Sequence, residues 1–309
     1  MLKGILNRNV VTNSFRAWML ASRPKTLTGA IAPVLVGGAL AAWSFSYLLF
    51  GLCLLFAVVM QIDANFVNDY FDYRKGTDRD DRLGPERACA QGWVTPRAMR
   101  IAIGLTTLAA CAVGLLILVA GGHVELLIVG ILCVLGCFLY TTHLSYMGLG
   151  DLLVIIFFGV VPVGFTYYVL TDGQWSPAVT FAGLGMGFAT DNLLMVNNYR
   201  DIAQDRISGK RTFAVRFGQR ATLMAYLWLG IVAAALAEAV LLSIQPLSAG
   251  MVWVGLLLPI AYFCFHLRVY GRMKRLQGRQ LNQVLGATAA GIFIYGVLLA
   301  VAVIVVGCL

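Results

Sequence analysis

Residues 47–78 read YLLFGLCLLFAVVMQIDANFVNDYFDYRKGTD. The stretch begins as an uninterrupted apolar run. A hydrocarbon core of about 30 Å takes about 20 residues of helix to cross, and residues 47–69 supply that length. The run then turns polar on a helical period. Asn68 and Asp72 stand four residues apart and share one face, with Asp69 beside them. A second apolar run ends the same way in Asn197-Asn198-Tyr199-Arg200-Asp201-Ile202-Ala203-Gln204-Asp205, where Asn197, Asp201 and Asp205 repeat the spacing. The two helix ends align at a constant offset of 129, Gln61–Asp72 on Thr190–Asp201.

Outward from these stretches, apolar runs of spanning length recur at roughly 26–44, 47–69, 99–120, 123–142, 151–170, 178–198, 221–243, 249–267 and 284–307. Only 12% of the residues are charged and 60% are hydrophobic, against about 25% charged in a soluble globule. The chain therefore reads as an integral protein of the lipid bilayer. Its fold class is all-α, because a lone strand leaves its polar backbone groups unsatisfied in lipid. The expected architecture is nine transmembrane helices around a central cavity, in one transmembrane domain over 1–309. The long polar loops near 74–97 and 199–220 are expected to act as cytoplasmic caps.

If nine spans alternate, the segments 1–25, 70–98, 143–150, 199–220 and 268–283 lie on one side. With a turn of slack at the helix ends, they hold all 23 Lys and Arg. The positive-inside rule makes that side cytoplasmic, with the N-terminus inside and the C-terminus outside. Both acidic stretches then fall on the cytoplasmic face. The net charge of +9 is a topology signal, and no nucleic-acid module accompanies it. Cysteines within the spans, Cys133 and Cys137 among them, read as small packing residues, since no His or carboxylate stands near them at metal spacing.

Five of the chain's 14 acidic residues (69, 72, 78, 201 and 205) fall in the two stretches. Mg²⁺ keeps several waters and takes its other ligands from carboxylates and substrate phosphates. Two facing clusters built from Asn68, Asp69, Asp72, Asn197, Asp201 and Asp205 suit a magnesium diphosphate. Arg23 and Lys25 at the entry of the first span, with Lys75, Lys210 and Arg200 beside the clusters, are candidate diphosphate contacts. Deeper in the spans, Gln61, Asp63 and Asn65, and likewise Asp191 and Asn192, are polar residues of the kind that line an internal cavity. The segment Tyr140-Thr-Thr-His-Leu-Ser-Tyr-Met-Gly-Leu-Gly-Asp151 is read as the short turn between the fourth and fifth spans, approaching a ligand.

These motifs resemble the UbiA-type membrane prenyltransferases. More narrowly, Arg23-Pro-Lys-Thr-Leu27, Gln61-x3-Asn65-x2-Asn68-Asp69-Tyr70-x-Asp72-x3-Gly76-x-Asp78, Gly148-Leu-Gly-Asp151 and Asn197-Asn198-x-Arg200-Asp201-x3-Asp205-x3-Gly209-Lys210-x-Thr212 resemble the 1,4-dihydroxy-2-naphthoate polyprenyltransferase branch. The resemblance implies Mg²⁺ as cofactor and a polyprenyl diphosphate and 1,4-dihydroxy-2-naphthoate as substrates. It also implies a place in menaquinone biosynthesis, in a bacterial inner membrane. It makes Asp72 and Asp201 catalytic through the metal, and Asp191 the group that positions or deprotonates the ring hydroxyl. Gln61, Asn65, Tyr140 and Asn192 are then the aromatic-substrate pocket. Two departures stand out. The residue four after Asp72 is Gly76 rather than an acid, and the turn after the fourth span offers only His143 where many relatives carry a stronger base. Another acceptor such as 4-hydroxybenzoate would keep the metal chemistry and change the pocket, and a transporter or cation channel is the non-enzymatic alternative. The Asp-Gly…Ala-Arg pattern of the CDP-alcohol phosphotransferases is absent.

Overall fold

The computed structural model describes residues 10–76, 82–244 and 250–307, without the side chains of 250–254 and 256. Asp78 lies outside the described residues. Every regular element among them is helical. A short surface helix α1 (Phe15–Ser22) leads into α2 (Pro24–Leu40), α3 (Tyr47–Lys75), α4 (Pro96–Gly121), α5 (Leu126–Met147) and α6 (Gly150–Leu170). Then follow α7 (Pro177–Arg200), the one-and-a-half-turn α8 (Ile202–Ile207), α9 (Phe213–Ile244), α10 (Gly250–Met273) and α11 (Leu281–Gly307). Seven helices among the described residues are long and apolar enough to cross a membrane. The chain is therefore a multi-span membrane protein.

Helix starts are written locally. Ser46, Thr95 and Ser176 accept hydrogen bonds from the N–H of Leu49, Ala98 and Val179, and Pro24, Pro96 and Pro177 sit in first turns, where a missing N–H loses nothing. Two large buried clusters follow. One joins α2, α6, α7, α9, α10 and α11. The other joins α1, α3, the chain after α3, and α4, with Phe66, Tyr70, Trp93 and Met99 at its centre. Leu105, Leu108, Leu115 and Leu116 of α4, with Ile128, Ile131 and Leu132 of α5, are exposed, as suits a surface whose solvent is acyl chain.

Two features position the site. First, α5 does not stop where the apolar run stops. It continues to Met147 through a π-helical turn at Tyr140–Leu144, so the expected turn between the fourth and fifth spans shrinks to Gly148 and Leu149. Such a turn disturbs the ordinary carbonyl pairing, and the carbonyls of Thr141 and Thr142 accept hydrogen bonds from Lys75 Nζ at 3.2 and 2.8 Å. Second, α6 and α7 touch backbone to backbone. A Cβ on Gly159 would overlap Gly183 and Gly187, and one on Gly187 would overlap the backbone of Ile155. Small residues are what allow such an approach between membrane helices.

Asp63 does not line a cavity. It is fully buried against α4, where the hydroxyls of Thr106 and Thr107 both donate to it.

Candidate active site

The first acidic stretch ends α3, which closes on Gly76 in the left-handed region (φ 66°). Asn68 and Asp72 share the inner face, as their spacing predicts. Asn68 Oδ1 accepts a hydrogen bond from the Thr141 hydroxyl on the π-turn of α5. Asp72 is buried and pairs with Arg87 Nη2 at 3.2 Å. Asp69 points elsewhere. Its two carboxylate oxygens accept from the backbone N–H groups of Ala88 and Cys89, both at 2.8 Å, and Arg23 Nη2 lies 3.6 Å away. Asp69 thus holds the returning chain onto α3, each of its oxygens accepting one loop amide.

Arg23 occupies the corner between α1 and α2 with φ 51° and ψ 68°. A non-glycine residue held there is strained. Asn65 braces the corner, its Nδ2 donating to Ser22 O at 2.9 Å and to Thr26 Oγ1 at 3.0 Å, while Gln61 Nε2 donates to Asn65 Oδ1 at 3.4 Å. These bonds occupy the Gln61–Asn65 pair as a clamp on the α1–α2 corner, in place of the expected aromatic-substrate pocket. Lys25 is exposed on the first turn of α2.

The second stretch is built differently. Helix α7 ends at Arg200, Asp201 leaves the helical region (φ −101°, ψ 14°), and α8 carries Asp205 back toward the bundle. The Arg200 guanidinium grips Asp201 with two bonds of 2.7 and 2.6 Å and also donates to Asn197 Oδ1 at 3.0 Å and Asn282 Oδ1 at 2.8 Å. Its side chain is 1% exposed. Arg200 is therefore a buried brace between α7 and α11, with four of its five N–H donors engaged by protein. Burial pushes the Asp205 carboxyl up to about 6, while the nearby Lys210 pulls it the other way.

The two stretches meet. Lys75 Nζ lies 4.1 Å and Lys210 Nζ 5.5 Å from the centre of the Tyr146 ring, so a lysine following each cluster shares one aromatic residue. Lys75 feels the charges of both Asp72 and Lys210. Tyr140 on the π-turn lies within electrostatic reach of Asp151, Asp191, Asp72 and Asp205.

Residues 30–284 match the UbiA prenyltransferase family. This chain belongs to that family. Among its relatives, a Mycobacterium tuberculosis protein named 1,4-dihydroxy-2-naphthoate octaprenyltransferase is 36% identical over 297 residues, covering 93% of this chain and 96% of its own. A Haemophilus influenzae protein of the same name is 36% identical over 224 residues, 69% of this chain and 72% of its own. The UbiA fold is also shared with two solved archaeal structures. An apo UbiA homologue from Aeropyrum pernix superposes with TM-score 0.69 at 18% identity, covering 90% of this chain and 98% of that one. A homologue from Archaeoglobus fulgidus bound to DMAPP and Mg²⁺ gives TM-score 0.64 at 16% identity, over 93% and 98%.

Within this UbiA fold, no three His, Cys, Asp or Glu side chains among the described residues converge as a closed metal cage. The chemistry of the donors still fits Mg²⁺ with a diphosphate. Asn68, Asp72, Asn197, Asp201 and Asp205 are hard oxygen donors, few from each side, and Mg²⁺ completes such a set with water and phosphate. Asp191 is 1% exposed and its Oδ1 has no hydrogen-bond partner. Asn192 lines a small cavity with Tyr226, Tyr262, His266 and Thr288, between α7, α9, α10 and α11.

Four contacts of the site escaped the reading of the sequence. Arg87 and Asn282 are single polar residues far along the chain from the carboxylate and guanidinium they meet. Thr141 and Tyr146 lay inside a segment already singled out, yet only the π-turn and the helical continuation to Met147 aim them at the site.

Proposed function

We propose that this protein transfers a polyprenyl group from an all-trans polyprenyl diphosphate to 1,4-dihydroxy-2-naphthoate, releasing CO₂ and diphosphate and giving demethylmenaquinol, which a separate two-electron oxidation by dioxygen or a quinone, off the enzyme, turns into demethylmenaquinone. The observation that carries the reading is the meeting of two Asn/Asp helix ends, whose following lysines share the Tyr146 ring, in a chain that matches naphthoate octaprenyltransferases over most of its length. Asn68, Asp72, Asn197, Asp201 and Asp205 are the residues that would hold Mg²⁺, which when bound neutralises charge on the departing diphosphate. Asp72 and Asp201 are the central members of the two clusters.

The chain's own groups do the rest. Lys75 and Lys210, held to a common aromatic ring, supply positive charge for the diphosphate oxygens, with Arg23 at the α1–α2 corner and Lys25 at the rim. The Tyr140 ring faces the forming allylic cation, and the surrounding apolar helices keep water from it. Nine spans (α2 to α7 and α9 to α11) make one transmembrane domain over 1–309. Its N-terminus and active site face the cytoplasm of a bacterial inner membrane, and its C-terminus lies outside. The chain after α3 and the α8 segment cap the site.

The test is an incubation of detergent-solubilised protein with Mg²⁺, farnesyl or geranylgeranyl diphosphate and the naphthoate, followed by mass spectrometry. Prenylated naphthoquinone that vanishes with EDTA is the expected result. Diphosphate release only with 4-hydroxybenzoate would move the protein to another branch, and no turnover with any aromatic acceptor would overturn the reading.

A further inference from the structure

The close contact between α6 and α7 fixes a register. The two helices are antiparallel, joined by a short connection, and meet where Ile155 faces Gly187 and Gly159 faces Gly183. One turn further from these contacts, toward the site, Asp151 comes opposite Asp191. The register of the glycine contacts sets this placement, and the electrostatic influence of Asp151 on Asp191 is consistent with it. Gly150 closes the same corner: a Cβ there would lie 3.4 Å from Leu194 and 3.7 Å from the Tyr140 ring. Asp151 Oδ1 and Asp191 Oδ1 are buried with no hydrogen-bond partner.

A carboxylate within a span is costly unless it faces a polar group or a cavity, and leaving two acceptors unsatisfied side by side calls for a donor. Basic side chains do not fill the role here: Arg87 and Arg200 are engaged with Asp72 and Asp201, and Lys75 sits on the π-turn. The pair also lies at the right depth. Asp191 is six residues before Asn197, about 9 Å along the helix, so a ring seated on it lies below the diphosphate, where the first prenyl carbon would project.

We propose that Asp151 and Asp191 together form the seat for a ring hydroxyl of the aromatic acceptor, with Tyr140 packing against the ring. The acceptor's O–H donates to the carboxylate pair. This fixes which ring edge meets the prenyl carbon and enriches the ring in electrons, because a phenol bonded to a carboxylate is the better nucleophile. The ligand class is a hydroxylated aromatic ring. The inference rests on the proposed prenyl transfer and adds Asp151 as the partner of Asp191 in seating the hydroxyl.

The experiment uses the full chain in detergent and compares Asp151→Asn and Asp191→Asn with the parent protein. Acceptor kcat/KM and Mg²⁺-dependent binding of farnesyl diphosphate are measured separately. Each variant is expected to lose about 100-fold in acceptor kcat/KM, with farnesyl diphosphate affinity within about twofold of the parent. In the parent, the methyl ether of the seated hydroxyl is expected to be disfavoured about 100-fold, and the variants to discriminate less. Unchanged acceptor kinetics in both variants, equal loss of diphosphate binding, or a shift in Mg²⁺ requirement alone would each overturn the proposal. If the parent takes 4-hydroxybenzoate rather than the naphthoate, the naphthoate reading fails, and the same variants judge the pair with that phenol. Should Asp191→Asn fail to accumulate, Asp151→Asn and the methyl ether decide.

Discussion

The ends of α3 and α7 align residue for residue at an offset of 129, yet they are held in place by different means. Asn68 and Asn197 sit within their helices, whereas Asp72 lies inside α3 and Asp201 just past the end of α7. The first end is braced from outside: Asp69 and Asp72 take partners from Arg87, Ala88 and Cys89 in the chain that returns after α3. The second is braced from within, by Arg200 next to Asp201, and from α11 by Asn282. Asp69 is matched by Asn198, which is also buried but carries no charge. The lesson is that the inner-face oxygens form the common part, while the supports are fitted separately to each half.

That contrast can be broken in order of size. Asp72→Ala and Asp201→Ala should each cut turnover by about 1,000-fold or more while leaving a folded, monodisperse protein; wild-type turnover in both would remove the metal assignment. Asp69→Ala strands two buried N–H groups and should cost about 3 kcal/mol of stability. Asn198→Ala at the matching position should cost about 1 kcal/mol. Melting curves in detergent give the two shifts, and equal shifts would mean the halves are braced alike after all. Tyr146→Leu removes the ring shared by Lys75 and Lys210 and should raise KM for the prenyl diphosphate about fivefold, with acceptor KM unmoved.

The smallest effect concerns pH and again separates the halves. Asp205, with no acidic counterpart at Gly76, carries a carboxyl pushed up to about 6 by burial. A proton on it competes with a cation. The Mg²⁺ concentration for half-maximal activity should therefore rise about tenfold per pH unit as pH falls below about 6, and stay level above it. Asp205→Asn should flatten that dependence; an unchanged slope would show that another group sets it.

Much of this was legible beforehand because the bilayer leaves few options. Apolar runs of spanning length, helix-starting Ser, Thr and Pro, and carboxylates four apart are local signals, and they locate the helices and the inner faces of α3 and α7. The directions of Asp69, Asn65 and Arg200 were not legible, since each depends on a backbone or side-chain partner brought in from elsewhere. Asp69 sees amides nineteen and twenty residues on, and Arg200 sees an amide eighty-two residues away. No spacing encodes such contacts. The π-turn at Tyr140–Leu144 likewise had no signal in a run that looked like the end of a span.

The glycine contact between α6 and α7 also bears on how the chain is made. The two helices are consecutive and joined by residues 171–176, so they leave the ribosome one after the other and can enter the bilayer as a preformed hairpin. Inserted singly, α7 would present the Asp191 carboxylate to acyl chains, at up to about 2.5–3.5 kcal/mol on insertion scales. Inserted together, Asp151 and Asp191 turn toward one another and away from lipid. A bulky residue at Gly159, Gly183 or Gly187 would then act first on biogenesis, lowering the yield of membrane-integrated protein before any effect on turnover was felt.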